Sequence, residues 1–123
     1  MKATSFTPPS DEDISQAERL LGFKFSKEYI LFIKSGYDLG DVPKDALQVS
    51  AKFKHLDIFR ARDMAREYYK LPEPLLPICE DNADYYCLNE TGEVVFWSHN
   101  GTTDEKWRDV TAWRKAMIAE NED

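Results

Sequence analysis

The stretch LLPICEDNADYYCLNETGEVVFW, residues 75–97, decides the fold of this chain. It holds three runs of aromatic and branched side chains, which are typical of β-strands and lie at residues 75–79, 85–89 and 93–97. Residues 80–84 join the first two runs, and Glu90-Thr91-Gly92 joins the last two. Because connections this short join antiparallel neighbours, the stretch predicts a three-stranded meander.

Two helices are predicted at the start of the chain. Ser10 is followed by three acids, which indicates an N-cap and a helix that ends at Gly22. Ser26 predicts the cap of a second helix, with Gly36 as its left-handed terminator. Residues 37–54 give weaker patterns, which suggest a loop and then one or two short strands around Leu47, Val49 and Phe53.

Two more helices complete the predicted elements. Apolar residues recur at helical spacing from about residue 59 until Leu71-Pro72 ends the third helix. Its outward side chains predict an ordinary solvated face, with partner contact as the alternative, and include Arg60, Arg62, Arg66 and Lys70. The last helix is predicted to start near Asp109 or Thr111.

These elements predict an α+β fold, with a single twisted, mainly antiparallel sheet and about four helices packed around it. A length of 123 residues fits one domain, so residues 1–123 are expected to form a single unit. Trp97 and Trp113 are expected in the core, although Trp97 could instead be an exposed anchor for a partner.

The net charge of −7 is unevenly distributed along the chain. No Lys or Arg lies between Lys70 and Lys106, whereas eight acids do. Such a field repels nucleic acid and attracts basic partners. The alternative is that these acids only keep the surface soluble.

Topology brings several of these acids together. The loop at residues 80–84 and a predicted loop at residues 98–105 should lie at the same end of the meander. The acids in these two loops form a predicted partner-binding rim: Glu80, Asp81, Asp84, Asp104 and Glu105.

Catalysis and metal binding find little support in the sequence. Cys79, Cys87, His55 and His99 could supply a thiol and a base or four zinc ligands, but their spacing does not match structural zinc motifs. A free Cys within a strand usually packs in the core. We therefore expect no enzyme, no catalytic residue, no metal and no cofactor.

The N-terminus has no secretory h-region, and no apolar run approaches the roughly 20 residues that span a bilayer. The chain is therefore expected in the cytoplasm, with no membrane partner.

The order of elements and several motifs resemble the SUKH superfamily, which includes bacterial immunity proteins and fungal regulators of the Smi/Knr type. The first half of the resemblance rests on Ile14, Glu18, Leu21-Gly22, Tyr29 and Phe32-Ile33. The second half rests on Leu76-Pro77-Ile78, Asp84 with Tyr85-Tyr86-Cys87-Leu88, Gly92-Glu93-Val94 and Trp97-Ser98-His99. Ser26 stands where the family usually has Pro, and Ser caps a helix equally well.

The resemblance implies a non-enzymatic immunity protein that neutralises a toxin delivered by neighbouring cells, commonly a nuclease. A basic toxin would fit the acidic rim. The alternative is a regulatory interaction module of the Smi/Knr type with no toxin partner. The resemblance carries over no binding residues, and it leaves the toxin, its delivery and the oligomeric state open.

Overall fold

The computed structural model describes residues 9–49, 54–82, 84–98 and 101–121. The helices in this part of the chain are α1 (Asp11–Leu21), α2 (Lys27–Lys34), a short 3-10 helix (Lys54–Leu56), α3 (Ile58–Tyr69) and α4 (Val110–Asn121). The strands are β1 (Asp45–Ala46), β2 (Leu76–Asp81), β3 (Asp84–Leu88), β4 (Val94–Ser98) and β5 (Gly101–Trp107). The predicted α+β fold is confirmed.

Local hydrogen bonds fix the ends of the first helix. The Asp13 N–H donates to the Ser10 hydroxyl at 3.1 Å, and the Ser10 N–H donates to the Asp13 carboxylate at 3.2 Å. This reciprocal capping box satisfies two N–H groups that a helix start leaves unpaired. Gly22 then ends α1 in the left-handed region, at φ 62°.

The second helix also begins and ends close to the predicted residues. The Ser26 hydroxyl accepts the Tyr29 N–H at 3.2 Å, which caps α2. At the other end Gly36 has φ 91°, and the Tyr37 N–H bonds back to the Phe32 carbonyl at 3.0 Å. Gly36 therefore turns the chain away from the helix, as its position predicts.

The sheet is open, antiparallel and ordered β1-β2-β3-β4-β5. Its centre is the predicted meander, with Tyr85 opposite Trp97 and Tyr86 opposite Phe96. Two edge strands extend it. Among the described residues of the weakly patterned segment, only β1 forms a strand of the sheet. Leu47 and Val49 lie just beyond it, and Phe53 lies outside the described residues.

Aromatic packing joins α2 and α4 to one face of the sheet. The Trp113 ring of α4 lies 5.7 Å from the Phe32 ring of α2 and 5.6 Å from the Tyr86 ring of β3. Tyr86 also packs against Phe96 at 4.6 Å. Trp113 is completely buried and Trp97 is 8% exposed, so both are core residues, as predicted. The alternative that Trp97 is an exposed anchor is wrong.

The basic side of α3 is only partly a solvated face. Arg62 donates to the Leu21 carbonyl at the end of α1, at 3.0 Å, and Arg66 donates to the Glu73 carbonyl at 2.9 Å. These two arginines tie α3 to neighbouring segments, which corrects the sequence-based expectation for them. Arg60 and Lys70 are exposed, as expected.

Replacing Trp113 by Ala should lower the free energy of unfolding by about 3–5 kcal/mol, because it removes the ring that α2, α4 and β3 share. Chemical denaturation would measure the change. Leu31→Ala is the control, since Leu31 is 65% exposed and its truncation should cost less than about 0.5 kcal/mol. Equal losses in the two variants would contradict this packing role.

Candidate partner-binding surface

Two pairs of acids face each other across the strands at one corner of the sheet. Asp45 of β1 is opposite Glu80 of β2, and Asp81 of β2 is opposite Asp84 of β3. We call these four residues the acidic corner. Side chains directly opposite each other lie about 4.5–5.5 Å apart at Cβ, and like charges in that relation are destabilising.

The two acid pairs lie on opposite faces of the sheet. Glu80 and Asp81 are neighbours in β2, and successive side chains of a strand point to opposite faces. The acidic corner therefore presents negative charge on both sides of the sheet, around the end of the β2–β3 hairpin.

The environment of Glu80 disfavours its charged form, in part through repulsion by Asp45. Burial raises the pKa of Glu80 above its ordinary value, and the nearby Asp45 carboxylate raises it further, while His55 acts in the opposite direction. Lys44 approaches Asp81 at 3.9 Å and partly compensates that charge. The corner thus remains dominated by acids.

The β2–β3 turn is shorter than predicted. Strand pairing continues through Glu80 and Asp81 to Asp84, so the five-residue loop predicted at 80–84 is wrong. Only residues 82 and 83 connect the strands, with Asn82 at φ 54° and residue 83 outside the described part of the chain. Asn tolerates this left-handed conformation, which permits a tight turn.

The other two acids of the predicted rim lie on a strand. Asp104 and Glu105 belong to β5, so the predicted loop at 98–105 is wrong. A bulge opposite Phe96 interrupts the pairing there, and the Thr103 hydroxyl donates to the Phe96 carbonyl at 2.6 Å and accepts the Glu105 N–H at 3.3 Å. Bulges on edge strands often redirect side chains. Asp104 and Glu105 are exposed beside this bulge.

The predicted rim is therefore divided into two groups. Strands β3 and β4 separate β2 from β5, which places the two backbones about 14 Å apart at ordinary strand spacing. Tyr86 lies between the groups: burial raises the pKa of its phenol, and both Asp81 and Glu105 contribute to the increase. Glu80, Asp81 and Asp84 stay together, and Asp104 and Glu105 form a separate pair.

The structure also adds residues that the sequence did not reveal. Asp45 completes the corner, and Lys44 and His55 border it. A strand of two residues has no periodicity that could have identified Asp45. Its place in the acidic corner follows from its register with β2, which puts Asp45 opposite Glu80.

The thiols occupy core positions. Cys79 and Cys87 are completely buried, as predicted, and burial raises the pKa of both thiols. His99 lies outside the described residues. Among residues 9–49, 54–82, 84–98 and 101–121, no three His, Cys, Asp or Glu side chains are arranged to hold a metal ion. In the same segments, no helix is long and apolar enough to cross a bilayer.

Comparison with known proteins places the chain in a family. Residues 2–118 match the model of the SUKH_5 family, described as SMI1-KNR4 cell-wall, so the chain belongs to this family. The fold is similar to a crystal structure of a protein from Pseudomonas syringae pv. tomato, with TM-score 0.81 and 24% sequence identity. That match covers 94% of this chain and 86% of the other. No curated protein matches the chain.

The raised pKa of Glu80 predicts a pH-dependent gain from neutralising it. The folded protein binds a proton at Glu80 more readily than the unfolded chain, so ionisation of Glu80 destabilises the fold as pH rises. Glu80→Gln should therefore raise the free energy of unfolding at neutral pH by no more than about 0.5 kcal/mol, because solvent screens the charge of this partly exposed side chain, and the gain should fade as pH falls through the Glu80 pKa.

Denaturation of both proteins across this pH range would measure the effect. Glu90→Gln is the control, because Glu90 is exposed in the β3–β4 turn. A loss of stability in Glu80→Gln at neutral pH would show that the corner is not repulsive.

Proposed function

We propose that this protein is an immunity protein whose acidic corner binds a basic protein toxin and blocks it. The family membership supports a role in protein interaction. A cytoplasmic location, in the cell that must be protected, is part of the proposal. The toxin would be an intracellularly acting protein, such as a nuclease, whose substrate-binding surface is basic.

The single observation that carries the proposal is the pairing of like charges across the strands. A sheet that served stability alone would gain from an opposite charge or a neutral residue at Glu80. Features that lower stability are expected at functional sites. Contact with basic side chains of a partner would relieve the repulsion at this corner.

Electrostatics gives the corner a role in the rate of binding. Clustered charges attract an oppositely charged partner before contact, and complementary patches can raise the association rate by about 10–1,000-fold at low salt. The corner occupies an end of the sheet, with Asp45 exposed and the other three acids partly exposed. A protein partner can therefore reach it.

The buried thiols support binding rather than catalysis as the mode of action. A thiol acts as a nucleophile in its thiolate form, and burial disfavours that form at Cys79 and Cys87. Blocking a toxin requires only a complementary surface, so the proposal assigns no catalytic residue and no cofactor.

The second candidate is a regulatory module that binds a cellular protein. The family description, SMI1-KNR4 cell-wall, favours it. Both candidates use a protein-binding surface, but only the first predicts protection against a toxin. A gene for a large secreted protein with a toxin-like C-terminal domain beside the gene for this chain would favour the immunity role.

Protection and binding kinetics test the proposal with that toxin domain. Co-expression of this chain should rescue cells that produce the domain. The variant Glu80→Gln, Asp81→Asn, Asp84→Asn should associate about tenfold more slowly at low salt, and the difference should shrink as salt is added.

The matched control is Asp104→Asn with Glu105→Gln, which removes charge from β5 but leaves the corner intact. It should slow association much less. Equal slowing by both variants would mean that the whole rim steers the toxin. Protection without any effect of the corner variant would place the binding surface elsewhere, and failure of the chain to protect would reject the immunity role.

A further inference from the structure

The outward side of α3 carries a row of exposed residues. Arg60, Met64 and Tyr68 follow each other at intervals of four residues, which places them side by side along one helix face. Arg60 is exposed, Met64 is 37% exposed and Tyr68 is 65% exposed. An exposed group of Arg, Met and Tyr has the composition of an interface centre.

Arg60 differs from the other two arginines of the helix, Arg62 and Arg66. Arg62 and Arg66 donate hydrogen bonds to backbone carbonyls of neighbouring segments. Within the described part of the chain, the side chains of Arg60 and Tyr68 take part in no hydrogen bond or ion pair. Their guanidinium and phenol groups therefore remain available to another molecule.

The row on one copy of the chain is chemically complementary to the same row on a second copy. If two copies of α3 pack antiparallel about a twofold axis at Met64, then Arg60 of each copy faces Tyr68 of the other, four residues on either side of the axis. A guanidinium on an aromatic ring is a favourable cation–π pair, and the symmetry forms it twice. The two Met64 side chains meet at the axis, where their flexible thioethers can pack together.

The charges around the row agree with this arrangement. Glu67 follows Met64 by three residues and so lies on the same side of the helix, where it would approach Arg60 of the second copy. Asp63 is already paired with Arg62 at 3.2 Å. A basic partner of the kind that suits the acidic corner would instead meet Arg60 and Lys70, which are both exposed and positive.

We infer that α3 is a self-association surface, through which two copies of this chain form an antiparallel helix pair centred on Met64. The inference is independent of the proposed function, because the α3 row shares no residue with the acidic corner. The dimer would carry two acidic corners, one in each copy.

Sedimentation of the full chain over a range of concentrations tests the inference. The wild type should show a reversible rise in mass from 14.3 kDa toward twice that value. Met64→Lys should remain a monomer, because it places two positive charges at the axis. Leu20→Lys is the matched control: Leu20 is an exposed apolar residue of α1, and its replacement should leave the dimer unchanged.

A pair of substitutions distinguishes specific pairing of Arg60 with Tyr68 from general disruption of the dimer. Arg60→Glu should weaken the dimer by about tenfold or more, since each substitution removes two contacts. Adding Tyr68→Arg to the same chain should restore the dimer, because the new negative charge at position 60 of each copy then faces the new positive charge at position 68 of the other. Circular dichroism would verify that each variant is folded.

A wild type that stays monomeric at every concentration would overturn the inference. So would a dimer that survives Met64→Lys, or one that Leu20→Lys disrupts equally. If the variant with both Arg60→Glu and Tyr68→Arg still fails to form the dimer, the antiparallel pairing of Arg60 with Tyr68 is overturned.

Discussion

The contact of Trp113 with Phe32 and Tyr86 is the interaction on which the rest of the structure depends. It joins the last helix, an early helix and the central strand, which are far apart in sequence. This packing has a cost, since the Trp113 indole N–H is buried without a hydrogen-bond partner among the described residues. The contacts of the Trp113 ring outweigh that cost.

Sheet pairing in turn forces the acids together. Backbone hydrogen bonds and the buried residues of β2 and β3 set the register, and that register leaves Glu80 opposite Asp45 and Asp81 opposite Asp84. The core of the sheet therefore determines the geometry of the corner. The favourable packing of residues such as Ile78 and Cys87 allows the fold to tolerate charge repulsion at the acidic corner.

The sequence predicted the helices and the central meander because their signals are local. Ser10, Gly22 and Ser26 act within one helical turn, and the three central strands carry dense aromatic and branched residues. The edge strands lack such signals: β1 has two residues, and Thr102 to Lys106 in β5 show no apolar alternation. For that reason the predicted rim included Asp104 and Glu105 and missed Asp45.

The most direct measurement is a double-mutant cycle for unfolding with Asp45→Asn, Glu80→Gln and both together, at neutral pH and low salt. If the two carboxylates repel each other in the folded protein, each single variant relieves the same repulsion. The stability gained by the double variant should then be smaller than the sum of the two single gains. Additive effects would show that the two acids do not interact, and a gain larger than the sum would mean that they stabilise each other, which would contradict the account of the acidic corner.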